Sequence, residues 1–306
     1  MNITVSVIIP AYNASSTICR AVDSALGQSG VQTEVIIVDD GSTDATRAVI
    51  RATYGQNANV QLLTTAKNSG PGAARNLAIE QASGDWLALL DADDWFAPKR
   101  LETLINAAIF NGFDFIADSY YLSRDNETIP YAARFTDITR PDRVTGFDAA
   151  SFVRHGMGSV KPVIRKQFLD KHKIRFDPAI WRAEDLLLFG TLLMHGAKFG
   201  LLNTPLYYRS VTPGSLSKID KIKLHADLQQ VLKKLLQQTS DLGPEHPLPD
   251  AISYRIGMSK DAMAAARWEG WLKRLNGYRK PNLISLFKAF RHLILRDLRY
   301  HIYRLP

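Results

Sequence analysis

The sequence predicts an α/β fold: a Rossmann-like, mostly parallel sheet with helices on both faces, plus a C-terminal helical extension. Three observations predict it. Across the first hundred residues, apolar strand-like runs alternate with helix-like segments over short links, the pattern of parallel sheets. The polar turns "PAYN", "DDGS" and "DADD" fall where three of those strands end, and the carboxyl ends of strands form the ligand crevice in such sheets. Beyond residue 217 the apolar spacing becomes helical.

In chain order, "TVSVIIPAYN" is a buried strand running into a turn, and "SSTICRAVDSALGQSG" a helix with Ser/Thr capping signals and a glycine stop. "TEVIIVDDGS" is a second strand and "TDATRAVIRATYG" a second capped helix. "NVQLLTT", "GPGAARNLAIEQASG" and "DWLALLDADD" follow as strand, helix and strand. The pattern then mixes. "KRLETLINAAIFNG" is a helix, "FDFIADSYYL" a strand, residues 123–147 a polar stretch, "WRAEDLLLFGTLLMHG" helical and "LYYRS" a final strand. "IDKIKLHADLQQVLKKLLQQ" carries apolar residues at helical spacing, and "GPEHPLP" breaks the pattern before two further helices. The expected division is 1–217, with halves 1–100 and 101–217, and a basic helical region 218–306.

Hydrophobic residues make up 46% of the 306, enough for a sizeable core. Cys19 is the only cysteine, so no internal disulfide forms, which suits a reducing cytoplasm. The first thirty residues lack the features of a signal peptide, and no apolar run approaches a membrane span. The net charge of +8 is local: residues 260–306 hold eleven Lys/Arg against three Asp/Glu, so the whole excess lies there.

"LLDADDWF" ends an apolar run in three carboxylates. On a strand, Asp91 and Asp93 would leave one face and Asp94 the other. At about 6 Å two carboxylates repel by roughly 3 kcal/mol at an effective dielectric of 20. A hard divalent cation would remove the conflict; an acidic surface turn is the plainer alternative, because D-x-D is a common pattern. "PAYN" could simply end a strand, though Tyr12 offers a flat ring to a base. "VDDGSTD" reads equally as a capped turn or as Asp39 or Asp40 accepting from a pyrimidine N–H. "KNSGPGAARN" leads two glycines and a proline into a helix whose N-terminus, with Arg75, favours an anion, but it matches neither the dinucleotide nor the Walker A spacing. Glu184 and Asp185 read alone as the first turn of a helix.

Together, "VSVIIPAYN", "VIIVDDGSTDAT", "NSGPGAARNLAI", "GDWLALLDADD" and "WRAEDLLLF" resemble, in order and spacing, glycosyltransferase family 2, nucleotide-sugar enzymes of GT-A fold. The likeness covers about residues 3–217 and is in the style of bacterial exopolysaccharide glucosyltransferases of the succinoglycan type. It implies that Pro10, Ala11, Tyr12, Asn13, Asp39 and Asp40 hold the base and ribose of a UDP-sugar. Lys67, Asn68, Gly70 and Arg75 would line the rest of that pocket. Asp91 and Ala92 would meet the ribose or sugar, and Asp93, with Asp91, would bind Mn²⁺ or Mg²⁺ on the diphosphate. Asp185 would be the catalytic base with Glu184 beside it, and Trp181 would stack on an acceptor sugar. Relatives often carry a histidine ligand after the final strand; here Thr212 stands near that place.

The implied reaction is an inverting transfer, of glucose from UDP-glucose in the first instance, to a saccharide or lipid-linked oligosaccharide. In the tail, Leu283, Leu286, Phe287, Phe290, Leu293, Ile294 and Leu298 would line one helical face flanked by Lys288, Arg291, Arg296 and Arg299. Such a helix suits the inner face of a cell membrane, packing on its own protein, or a homodimer contact. No nucleic-acid motif accompanies the basic stripe. A D-x-D phosphatase and a catalytically silent scaffold of a polysaccharide assembly complex are the rival classes.

Overall fold

The computed structural model of the chain describes residues 3–124, 129–138, 143–211, 221–243 and 245–275, with side chains through residue 267. Thr212 and the amphipathic tail 279–306 lie outside the described residues.

Four parallel strands form one half of the sheet: β1 (Thr4–Ala11), β2 (Gln32–Asp39), β3 (Val60–Thr64) and β4 (Trp86–Leu89). Their order is β3-β2-β1-β4, and each is an apolar run buried on both faces where it lies central. The links are α1 (Ile18–Leu26), α2 (Thr46–Tyr54) and α3 (Pro71–Gln81). The Ser/Thr signals act across loops: Ala14 N–H donates to Thr46 Oγ1 and Ser15 N–H to Asp44 Oδ2, so the β2–α2 turn holds the loop that leads into α1. Thr17, the residue before α1, makes no side-chain cap bond.

The other half mixes directions. β5 (Trp95–Phe96), β6 (Phe115–Arg124), β7 (Ala132–Arg134), β8 (Val144–Phe147), β9 (Val163–Arg165) and β10 (Phe199–Val211) complete the ten-stranded sheet. β6 and β10 pair in parallel, whereas β9 runs antiparallel between β4 and β6. The polar stretch 123–147 thus contributes two short edge strands, and "LYYRS" is the end of a thirteen-residue strand.

The two sheet faces bury separate cores. One packs under α1, α2 and α4 (Arg100–Asn111). The other packs under α3, α5 (Ala149–His155) and α7 (Glu184–Met194), with α6 (Lys166–Lys171) beside it. α8 (Lys221–Gln237) and α9 (Pro247–Leu275) extend that second core through Val231, Leu232, Leu235, Leu248 and Ile252. Pro247 and Pro249 lie in the first turn of α9, where no intrahelical N–H bond is lost, so "GPEHPLP" separates two helices and also begins the second. No helix among the described residues is long and apolar enough to cross a membrane.

Candidate active site

The carboxyl ends of strands form the ligand crevice of parallel sheets, and here the loops that follow β1, β2 and β3 are tied to one another. Asn13, at φ 50°, turns its side-chain oxygen onto the backbone N–H groups of Thr43 and Asp44. Gly41 has φ +71°, and a Cβ there would stand 2.7 Å from Asn68 N, so the second and third loops touch only because this residue is glycine. Tyr12 is 48% exposed beside the buried Ala11, which leaves its ring available for stacking.

Asp39 and Asp40 are both buried, and the structure separates their roles. Asp39 accepts from Arg47 Nε at 2.8 Å and from Ser42 N–H. Asp40 accepts from Ser69 N–H at 3.0 Å, Gly70 N–H at 2.8 Å and Thr65 Oγ1 at 2.7 Å. The chain's own Asp40 thus takes up the N–H groups of the two residues just before α3. Lys67 is exposed and its carbonyl accepts from Thr65 and Ser69, while Asn68 accepts from Gly70 N–H. Gly70, at φ +90° and ψ 160°, lies so close to Trp181 that a Cβ would stand 3.1 Å from the indole carbons. Trp181 is 52% exposed on its other side.

The D-x-D residues are not on a strand. β4 ends at Leu89, and Asp94 N–H donates back to the Asp91 carbonyl, closing a turn. Strand alternation therefore does not sort these carboxylates. The tight turn sends Asp94 inward, where Tyr207 Oη donates to it at 2.6 Å and Ser210 N–H at 2.8 Å. Ala92 is buried, and Asp93 is half-buried with its carbonyl held by Arg20.

Arg75 lies buried among carboxylates: Nη2 donates to Asp91 at 2.8 Å, Nη1 to Glu184 at 2.6 Å, and Asp185 stands 3.3 Å away. Its three partners sit on the β4 turn and on the first turn of α7. Burial alone would lower its pKa, but Asp185, Asp91 and Glu184 raise it above the ordinary arginine value. Lys161, which sequence reasoning missed, makes the second bridge, with Nζ 2.8 Å from both Asp91 and Asp185. Its pKa too is raised against the effect of burial by Asp185 and Asp91. The one signal was a lysine in the apolar run "SVKPVI". Because β9 runs antiparallel, its starting end, where Lys161 stands, lies at the carboxyl end of β4.

Neighbouring carboxyls differ in consequence. Against burial, Lys161 and Arg75 hold Asp91 below the usual range. Asp93 is pushed up by burial and by the Asp91 charge, and Asp94 well up by burial, Asp93 and Asp91. Burial and Asp185 raise Glu184 despite Arg75. Asp185 gives Oδ2 to Lys161, while its Oδ1 has no hydrogen-bond partner.

Carboxyls thus crowd around Arg75 and Lys161, and burial with like charge pushes Asp93, Asp94 and Glu184 up. Among the described residues no three His, Cys, Asp or Glu side chains converge as a ready-made metal cage. A cation shared with a diphosphate needs only one or two protein carboxylates, so Asp93 at the crevice fits that kind of site.

Comparison with known proteins agrees with this architecture. Residues 6–172 match the sequence pattern of Glycosyl transferase family 2, more than half of the chain. The chain belongs to glycosyltransferase family 2. Among curated family members, it is 34% identical over 221 residues to the succinoglycan biosynthesis protein ExoO of Rhizobium meliloti (strain 1021) and 35% to ExoU of the same organism. Both alignments cover 70% of this chain; they span 63% and 64% of those relatives' own length. Among solved structures, the mannosyltransferase PcManGT of Pyrobaculum calidifontis, in complex with GDP-Man and Mn²⁺, superposes with a TM-score of 0.67 at 18% identity, covering 96% of this chain and 81% of that one. S. aureus TarS 1-349, in complex with UDP, gives 0.63 at 21%, covering 94% and 75%. The fold is that of GT-A glycosyltransferases, and the family 2 match spans every crevice loop named above except the α7 acids and Trp181.

Proposed function

We propose that this family 2 chain is an inverting glycosyltransferase that moves a sugar from a nucleotide-diphosphate donor, UDP-glucose in the first instance, to a saccharide hydroxyl in exopolysaccharide or cell-surface glycan synthesis. The carrying observation is that Arg75 and Lys161 bind the D-x-D turn and the α7 acids into one cluster, an arrangement that would suit donor and acceptor chemistry side by side. The relatives named for succinoglycan biosynthesis support the glycan class.

Tyr12, Pro10 and Asn13, with Asp39 at the foot of their loop, would form the base and ribose side, and Lys67 with Asn68 the adjoining wall. Asp40 would act on that wall indirectly, by holding Ser69 and Gly70. A Mn²⁺ or Mg²⁺ ion held by Asp93 would supply positive charge against the departing diphosphate. Asp185 Oδ1, free of hydrogen bonds, would take the proton of the attacking hydroxyl while Oδ2 stays on Lys161. Trp181, fixed on Gly70, would offer its exposed face to an acceptor sugar. A lipid-linked acceptor is the reading that the basic tail favours, through attraction to an anionic bilayer.

The test is calorimetric titration of UDP and UDP-glucose, with and without Mn²⁺, beside an assay for UDP release. Metal-dependent UDP binding and donor turnover are expected. Hydrolysis of simple phosphate esters with no affinity for UDP would overturn the reading in favour of a phosphatase.

A further inference from the structure

We propose that Lys161 is the positioning residue for Asp185, its ammonium holding one carboxylate oxygen while the other stands free of hydrogen bonds, 3.3 Å from Arg75. This deepens the transferase reading and rests on it.

The lysine is fixed at both ends. At its head, Nζ lies 2.8 Å from Asp185 Oδ2 and 2.8 Å from Asp91 Oδ2, joining the start of α7 to the D-x-D turn. At its base, the Lys161 carbonyl accepts from Arg100 Nη2, and Arg100 is fully buried and forked onto Asp118 at 2.7 and 3.0 Å. The next residue, Pro162, offers its carbonyl to Leu89 N–H at the end of β4. The side chain between these anchors is almost wholly buried.

Arg75 cannot substitute for it. The Arg75 hydrogen bonds go to Asp91 and Glu184, and its approach to Asp185 is a 3.3 Å ionic contact without a hydrogen bond. Lys161 therefore makes the one hydrogen bond to the Asp185 carboxylate found among the described residues, and Oδ1 stays unpartnered. Without that bond the carboxylate keeps only the Arg75 contact at Oδ1 and is free to turn about it, and a proton acceptor misplaced by about 1 Å can lose on the order of 10²-fold in rate. The same ammonium also touches Asp91, which retains its Arg75 hydrogen bond when Lys161 is replaced.

The experiment compares wild type, Asp185→Asn, Lys161→Met, Lys161→Gln and Lys161→Ala. Each is assayed for UDP–Mn²⁺ affinity and for UDP release from UDP-glucose, the Ala variant with and without propylammonium. Expected are a kcat loss on the order of 10²-fold in the Met and Gln variants, near-unchanged UDP affinity and donor KM, and partial recovery of Lys161→Ala by propylammonium. A purely structural role would lower folding midpoint and UDP affinity together and show no recovery by the amine. That result, or wild-type kcat in the Gln variant, overturns the proposal while leaving the transferase reading intact if Asp185→Asn still fails to turn over. A wild-type protein that neither binds UDP nor releases it from UDP-glucose overturns both.

Discussion

Arg75 and Glu184 stand 109 positions apart in the chain and meet at 2.6 Å. One guanidinium thereby connects α3, the D-x-D turn and α7, joining residues of the first hundred to the 101–217 half. Removing one partner of a buried ion pair is far costlier than the net worth of the pair. Arg75→Met is expected to destabilise the protein by about 3–5 kcal/mol, checked by urea unfolding. A change under about 1 kcal/mol would mean that the carboxylates find other partners at little cost.

Asp93 carries the opposite signature. Its folded-state pKa is raised by burial and by Asp91, so its ionisation opposes folding. That penalty is absent below the ordinary aspartate value and grows as pH rises through the raised pKa. Asp93→Asn should therefore raise the melting midpoint at pH 7 in metal-free buffer while abolishing any Mn²⁺-dependent gain in UDP affinity. Thermal denaturation with and without Mn²⁺ and UDP reads both effects, and a lowered midpoint without metal would contradict the charge argument.

Asp185→Asn keeps the shape of the side chain and cannot accept a proton. UDP release should fall by about 10²–10⁴, the usual range for general-base assistance, with UDP–Mn²⁺ affinity near wild type. Near wild-type turnover would pass the role to Glu184.

Gly70 occupies backbone geometry that is essentially reserved for glycine. Gly70→Ala is expected to cost on the order of 1–3 kcal/mol and to displace the indole of Trp181. Unfolding curves measure the first effect, and a change in Trp emission against a Trp181→Phe background measures the second.

Asp44 ties the β2–α2 turn to the loop that leads into α1, and its pKa is lowered to about 2 because, against burial, hydrogen bonds from Thr46 and Ser15 favour the charged form. Its contribution is fully present above the ordinary aspartate value and is lost as pH falls toward about 2. Asp44→Asn should cost less than about 1 kcal/mol at neutral pH, because solvent screens hydrogen bonds to so exposed a group, and the gap from wild type should close across that acid window. Urea midpoints taken from pH 7 down to pH 2 test this.

What the sequence determined alone was what depends on local pattern. Apolar runs such as "VSVIIP" and "VIIVDD" specify buried parallel strands, and the turn residues that end them place Tyr12, Asp39 and Asp93 at one edge of the sheet. The family was also legible, because five short motifs in order carry more information than any one. Tertiary structure decided which charges meet. Asp39 and Asp40 are adjacent letters, yet one is held by Arg47 and the other closes the start of α3, a difference set by which way each side chain leaves the end of β2. Arg75 looked like an anion receptor and became the buried centre of a carboxylate cluster, because its partners come from residues 91 and 184. Lys161 was invisible for the same reason. A three-residue strand has too little pattern to be read, and only its antiparallel insertion between β4 and β6 brings that lysine to the crevice. Strand propensity is local, whereas the pairing of charges depends on long-range contacts that a linear pattern does not encode.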